Sequence, residues 1–406
     1  MTDESGRFEN GVKYKSIVRD YTDTATIVVF VKGGLFRESA KDNGIGSLTA
    51  RTWLKSGKLL ETVEFIGGGV NSSLANDYFE ISLSVPTQAL DTVLPELKKQ
   101  LLSPEFQPAV FEKEKDLMLR ELEAVKDDPN SLAFQQFNET TYKGHPYALN
   151  TDGSTASVAK LSVEDVENYY KNHIVAVDMI LVTAGKYSTE QLAEIHAIFK
   201  AVPKGKTLNI DCKGAAIAKN ERVEATDQRI QQAKLFVAYT APDAGSKEYL
   251  YGKILSDLLG GGMSSPYFTA LRKEKGYAYS VGVMYPSRLC ESRMTGYIGL
   301  QEENIDDAIS TMQRLNKGIA DAVTEDELEK TKNHMIGQLL LEAETNARTA
   351  YYAAFFENLG LGFDHTEKYV QQIRDVKKAD LKKISAIFEG PQTVFIFKPA
   401  GKIKEK

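Results

Sequence analysis

Two stretches about half a chain apart constrain this sequence more than any other feature. Leu161 leads through Asp165-Val166 to Ile180–Thr183 and Ala184-Gly185-Lys186. Val376 leads through Asp380-Leu381 to Thr393–Phe397 and Ala400-Gly401-Lys402. The offset is 376−161 = 215 at one end and 402−186 = 216 at the other. A nearly constant offset over that length marks an internal repeat. The expected fold is therefore a duplicated α+β domain, each copy a strand-rich sheet with several helices.

The strands and helices follow the same plan twice. Ala25–Lys32 (ATIVVFVK) reads as a buried strand ended by Gly33 and Gly34, and Ala233–Tyr239 (AKLFVAY) reads as its counterpart. In Asp77–Val85, Phe79, Ile81, Leu83 and Val85 alternate with Tyr78, Glu80, Ser82 and Ser84, the pattern of a half-buried strand. Gly44–Gly57 reads as a helix. So does the run Leu90, Val93, Leu94, Leu97, Leu101, although Pro95 interrupts it. Ser162…Asp165 and Thr324…Glu327 are capping boxes. Lys204–Asn220 shows no period and reads as a linker. The domains are then 1–203 and 221–406, joined by 204–220.

Composition removes some functions. Lys+Arg 50 against Asp+Glu 56 gives a net charge of −6, with no basic tail, so nucleic acid is excluded as the main partner. The opening MTDESGRFENG lacks the apolar core of a signal peptide, although a chain whose leader was removed starts the same way. Apolar runs such as Ile27–Val31 are too short for a membrane span. The reading is a soluble protein, cytoplasmic or periplasmic. Cys212 and Cys290 form no CxxC and no disulfide framework.

The five histidines, His145, His173, His196, His334 and His365, include no pair within a helical turn or two, so no HxxEH or HxxxH exists. There is no G-x-S-x-G, and Gly260–Gly262 is not followed by Lys-Ser/Thr. Glu114 and Glu121 share a helical face over Pro108–Lys126 with Met118 and Val125. They are either a site-lining pair or part of a solvated, charge-rich face.

Leu258–Val281 (LLGGGMSSPYFTALRKEKGYAYSV) is the most distinctive local stretch. Three glycines end one helix. Ser264 or Ser265 caps the next, Pro266 suits its first turn, and Gly276 stops it. A strand is expected from Tyr277 through Val283. The segment brings a cation, Arg272, and a phenol, Tyr279, near a glycine loop, a set suited to gripping a carbonyl or an oxyanion. Ordinary helix–turn–strand packing explains the same pattern.

Several of these pieces together resemble the insulinase-like, pitrilysin-clan metallopeptidases, and most of all their processing-peptidase branch. They are the strand ending at Gly33-Gly34, the Gly67-Gly68-Gly69-Val70-Asn71 turn, the Glu114…Glu121 helix, Gly144-His145-Pro146-Tyr147 and Leu271-Arg272…Gly276…Tyr279. The resemblance implies two mainly antiparallel α+β halves facing a central chamber. It implies zinc held by His-x-x-Glu-His and a distal Glu. Here Ser47 and Arg51 stand at the two histidine positions and Ala50 at the general base, while Glu121 matches the distal ligand. The implied role is that of a zinc-free subunit with no metal of its own. Arg272 and Tyr279 would act in the site of a zinc-bearing sister chain, and Gly260, Gly261 and Gly262 would contact a peptide or unfolded polypeptide. A non-peptidase scaffold of the same fold, like respiratory-complex core subunits, is the alternative.

Overall fold

The apolar run at Ala25 forms the central strand of the first sheet in the computed structural model, which describes residues 3–278 and 280–400. The sheet contains β1 (Glu4–Arg7), β2 (Lys13–Val18), β3 (Thr24–Lys32), β4 (Gly69–Leu74), β5 (Tyr78–Pro86) and β6 (Met179–Gly185), in the order β1-β2-β6-β3-β5-β4. β3 lies antiparallel to β5, with Ile27 opposite Leu83, and antiparallel to β6, with Ile27 opposite Thr183. β2 and β6 are parallel. The second sheet contains β7 (Glu221–Asp227), β8 (Ala233–Ala241), β9 (Val281–Met284), β10 (Ser292–Leu300) and β11 (Gln392–Pro399), ordered β7-β11-β8-β10-β9. Here β7 and β11 form the parallel pair. Without β1, the first sheet matches the second strand for strand, parallel pair included. The duplicated, mainly antiparallel α+β fold is therefore present in both sheets.

Why β3 reads as a continuous apolar run is visible in its two faces. Ile27, Val29 and Val31 point into a large core with Leu48, Trp53 and Leu94. Val28 and Phe30 pack on the opposite face with Ala350, Ala353 and Ala354 of the helix Asn346–Asn358. Both faces are covered, so alternation disappears from the sequence. Small alanines allow the helix to approach the sheet closely. The second sheet has the same arrangement. Ala133 and Phe137 of the helix Pro129–Thr141 pack with Phe236, Ala238, Phe395 and Phe397, and the Phe137 and Phe236 rings stack at 4.8 Å.

Those two helices change the division of the chain. One compact unit comprises 1–124, 149–211 and 340–366; the other comprises 125–148, 212–339 and 367–406. Each unit thus takes a helical segment from the opposite half of the sequence, so the units differ from the contiguous stretches 1–203 and 221–406. An amphipathic helix shows in its sequence that it needs an apolar partner, but not which of two similar sheets supplies it. Residues 204–220 carry no helix or strand.

Local expectations fare as follows. The helix Leu90–Leu102 runs through Pro95 because Leu90, Val93, Leu94, Leu97 and Leu101 are all buried on one side. Both capping boxes form: Asp165 N–H donates to Ser162 Oγ at 3.2 Å, and Glu327 N–H to Thr324 Oγ1 at 3.2 Å. Cys212 and Cys290, for which spacing offered no framework, are joined by a disulfide across 78 residues. Among the described residues no helix is long and apolar enough to cross a membrane.

Candidate functional site

The first helix, Ile45–Ser56, begins at Gly44, whose φ of 95° favours glycine. The half-buried Glu38 carboxylate caps that start. It accepts from Asn43 Nδ2 at 2.7 Å, Gly44 N–H at 2.9 Å and Gly46 N–H at 2.8 Å. Burial pushes the Glu38 carboxyl up to about 7, against the pull of those donors.

The next turns carry the positions in question. Ser47 is buried and its hydroxyl donates to the Thr151 carbonyl at 2.8 Å. Ala50 contributes only a methyl group to the core. Arg51 donates to Glu121 Oε2 at 2.6 Å and lies 3.5 Å from Asp152 Oδ1. One turn later Lys55 Nζ donates to Glu114 Oε2 at 2.7 Å. Glu114 is 1% exposed, together with Phe111, Met118 and Leu122 on the buried face of the helix Pro108–Val125. Glu114 is therefore buried, while Glu121 is half exposed. Each meets a cation projected four residues apart from the first helix.

This arrangement does not fit zinc. Structural and catalytic zinc sites need three or four N, S or O ligands at about 2.0–2.3 Å. Of the four positions that the resemblance assigns to the metal site, only Glu121 offers a carboxylate or imidazole ligand, and the Arg51 guanidinium stands against it. Among the described residues no group of three or more His, Cys, Asp or Glu side chains is placed to hold a metal ion.

The corresponding helix of the second half, Tyr249–Gly260, ends differently. Gly261 N–H closes it on the Asp257 carbonyl at 2.7 Å. Gly260 is required by packing: a Cβ there would stand 2.3 Å from Val283 N on β9. Around Gly262 a Cβ would meet nothing, and Met263 beside it is 81% exposed. Gly261 and Gly262 line a pocket of about 330 Å³. Leu258, Ile319 and Val323 give it apolar walls, and Asp257 and His334 stand on its lining with Oδ2 and Nδ1 3.1 Å apart. A Cβ on Gly261 would stand 2.6 Å from the Asp257 carbonyl oxygen, so Gly260 and Gly261 are held by packing and only Gly262 is open. Asp257 and His334 carried no signal in the sequence. They are 77 residues apart and meet only because two helices cross there.

Ser265, rather than Ser264, caps the next turn, accepting from Phe268 N–H at 3.4 Å. That turn, Phe268–Glu274, is a π-helix, a rare form often found at functional sites. Gly276 stops it at φ 66°, and Tyr277 N–H reaches back to the Leu271 carbonyl at 2.9 Å. Arg272 is exposed, with its guanidinium 4.8 Å from the centre of the Phe268 ring. The strand begins at Val281 rather than Tyr277. Its partner β10 extends only two residues beyond the Ile298–Val281 pair, leaving Tyr277 and Ala278 no strand to join. Tyr279 lies outside the described residues.

Comparison with known proteins follows this geometry. Residues 16–154 match the family described as insulinase (peptidase family M16), and residues 160–335 match the peptidase M16 inactive domain. The chain is similar to an uncharacterized zinc protease YmxG of Bacillus subtilis, at 24% identity over 84% of each chain. It is similar to a non-peptidase homolog YmxG of Helicobacter pylori, at 24% over 78% of this chain and 73% of that one. It also resembles the mitochondrial-processing peptidase subunit beta of Dictyostelium discoideum, at 20% over 93% and 84%. The peptidase M16 inactive domain from Pseudomonas fluorescens superposes with a TM-score of 0.88 at 17% identity, covering 98% of both chains. A chain of Complex III2 from Candida albicans gives 0.79 at 16%, covering 97% and 95%. At these identities the two structures speak for the fold.

Proposed function

The chain belongs to the insulinase family, peptidase family M16, and from that premise we propose that it is the zinc-free subunit of a two-chain processing-type peptidase. In this reading it binds an extended peptide and lends Arg272 and Tyr279 to the site of a zinc-bearing partner. The observation that carries it is an asymmetry. Arg51 pairs with Glu121 where the family resemblance puts the metal, which supports a chain that brings neither Lewis acid nor base of its own. The Arg272 turn, its Gly276 stop and the glycine-lined pocket are all present. Arg272 would hold a substrate carbonyl, and the Tyr279 hydroxyl would donate to the oxyanion.

The likeness to a Complex III2 chain and to a relative named a non-peptidase homolog favours a second reading, a scaffold subunit without peptidase work. Reconstitution separates the two. The chain is mixed with a family member carrying intact His-x-x-Glu-His, and cleavage is followed alongside thermal melts. Tyr279→Phe removes one hydroxyl, so turnover should fall by about 10²–10³ with binding retained. Arg272→Ala should weaken substrate binding as well. Wild-type rates for both variants, in a pair whose activity requires this chain, would leave Arg272 and Tyr279 as packing residues; no dependence of cleavage on this chain at all would leave the scaffold reading.

A further inference from the structure

The disulfide belongs to none of the chemistry above. Cys212 and Cys290 are the only two cysteines, and both are consumed in one bond, with Cα atoms 5.3 Å apart. Cys290 is 1% exposed in the connection between β9 and β10, and its N–H donates to the Tyr147 hydroxyl at 3.2 Å. Cys212 opens the irregular stretch that leads into β7. That stretch has no ladder of its own. Most of it is exposed, and it is anchored on the second unit by the buried Ala215, by Ile217 N–H on Thr240 Oγ1 at 2.8 Å, and by Asn220 Oδ1 accepting from Gln392 N–H at 2.9 Å. A covalent link at Cys212 therefore fixes the start of an exposed segment that has neither helix nor strand.

We propose that Cys212 and Cys290 form a structural cross-link made in an oxidising compartment, which pins the 212–220 stretch to the β9–β10 connection. Structural disulfides persist where thiols are not kept reduced, and rarely in a reducing cytosol. The bond forms by exchange with the disulfide of a thiol oxidoreductase. One cysteine thiolate attacks a catalyst sulfur, releasing the other catalyst sulfur as thiolate. The second cysteine thiolate then displaces the catalyst from the mixed disulfide. The protons lost by the two cysteines end on the two catalyst thiols, and the catalyst carries away both electrons as a dithiol.

The full chain is produced both in a bacterial periplasm and in the cytosol, trapped with an alkylating agent at lysis and again after unfolding, and weighed intact. The periplasmic sample should carry no adduct before reduction and two after it; the cytosolic sample should carry two throughout. Trypsin cleavage of the native protein after Lys213 and Lys219 should accelerate on reduction. The melting temperature should fall by roughly 10 °C in reduced wild type and in Cys212→Ser/Cys290→Ser alike. Two adducts on the unreduced periplasmic protein would overturn the cross-link. An adduct-free cytosolic sample would overturn its dependence on compartment. Unchanged trypsin cleavage and melting on reduction would overturn its pinning role.

Discussion

The same pair of helices does opposite things in the two copies of the repeat. In the first copy, Ile45–Ser56 faces Pro108–Val125, and the space between them is closed by Arg51 on Glu121 and Lys55 on Glu114. In the second, Tyr249–Gly260 faces Glu325–Glu342, and the space is an open pocket with Asp257, Thr331 and His334 on its lining. One backbone plan thus supports a filled, charge-compensated seam or a cavity, depending on a few side chains. The seam lies where the family resemblance puts the metal. A fixed cation now stands where a metal's charge would, so Glu121 keeps a counter-charge without one.

The largest effect should come from undoing that replacement. The wild-type chain should retain no stoichiometric zinc. Ser47→His, Ala50→Glu and Arg51→His together would set two imidazoles on the face already turned toward Glu121, giving three ligands and an open position. Metal analysis after dialysis should then find about one zinc per chain. If the triple variant holds none, Glu121 is not placed as a distal ligand and the seam is not a converted metal site.

A smaller effect tests how the seam is held. Lys55→Met keeps the aliphatic stem but leaves the buried Glu114 carboxylate without its cation. Because Lys55 itself is 40% exposed, the cost is discounted to about 2 kcal/mol. Chemical denaturation should show that loss. Adding Glu114→Gln should recover most of it, since a neutral amide there needs no counter-charge. In the pocket copy, Thr331→Ala should cost under about 0.5 kcal/mol, as a surface change away from any such partner. Equal costs in the two copies would mean the ion pair contributes no more than ordinary packing.

The sequence showed some of this contrast and hid the rest. The repeat, the alternation in β5 and both capping boxes are local patterns, and local patterns survive in sequence. The substitutions at Ser47, Ala50 and Arg51 were legible through resemblance. Glu114 and Glu121 could be placed on one face by spacing, but their neighbours gave two readings, since helical spacing does not reveal that Lys55 and Arg51 approach from another helix. The pocket was illegible because its walls come from segments up to 77 residues apart. The exchange of Pro129–Thr141 and Asn346–Asn358 between sheets was illegible for a different reason. With two copies of one sheet available, an apolar helix face fits either, and only the assembled fold selects.

The smallest effect concerns Arg51 alone. Its side chain is 26% exposed, Glu121 is 49% exposed and Asp152 48%. Water screens all three charges, so the pair gains little over its separated, hydrated members. Arg51→Ala should therefore destabilise by only about 0.5–1 kcal/mol, despite a 2.6 Å contact. That difference should shrink further in about 1 M salt, where the screening length falls to about 3 Å. Removing Arg51 should not by itself create a zinc site either, because Ser47 and Ala50 still supply no ligand. A loss of about 3 kcal/mol or more, unaffected by salt, would show that Arg51 is a dry structural strut like the Lys55–Glu114 pair. The seam would then be one buried unit, and the contrast between a screened cation at the metal position and a buried pair one turn away would fail.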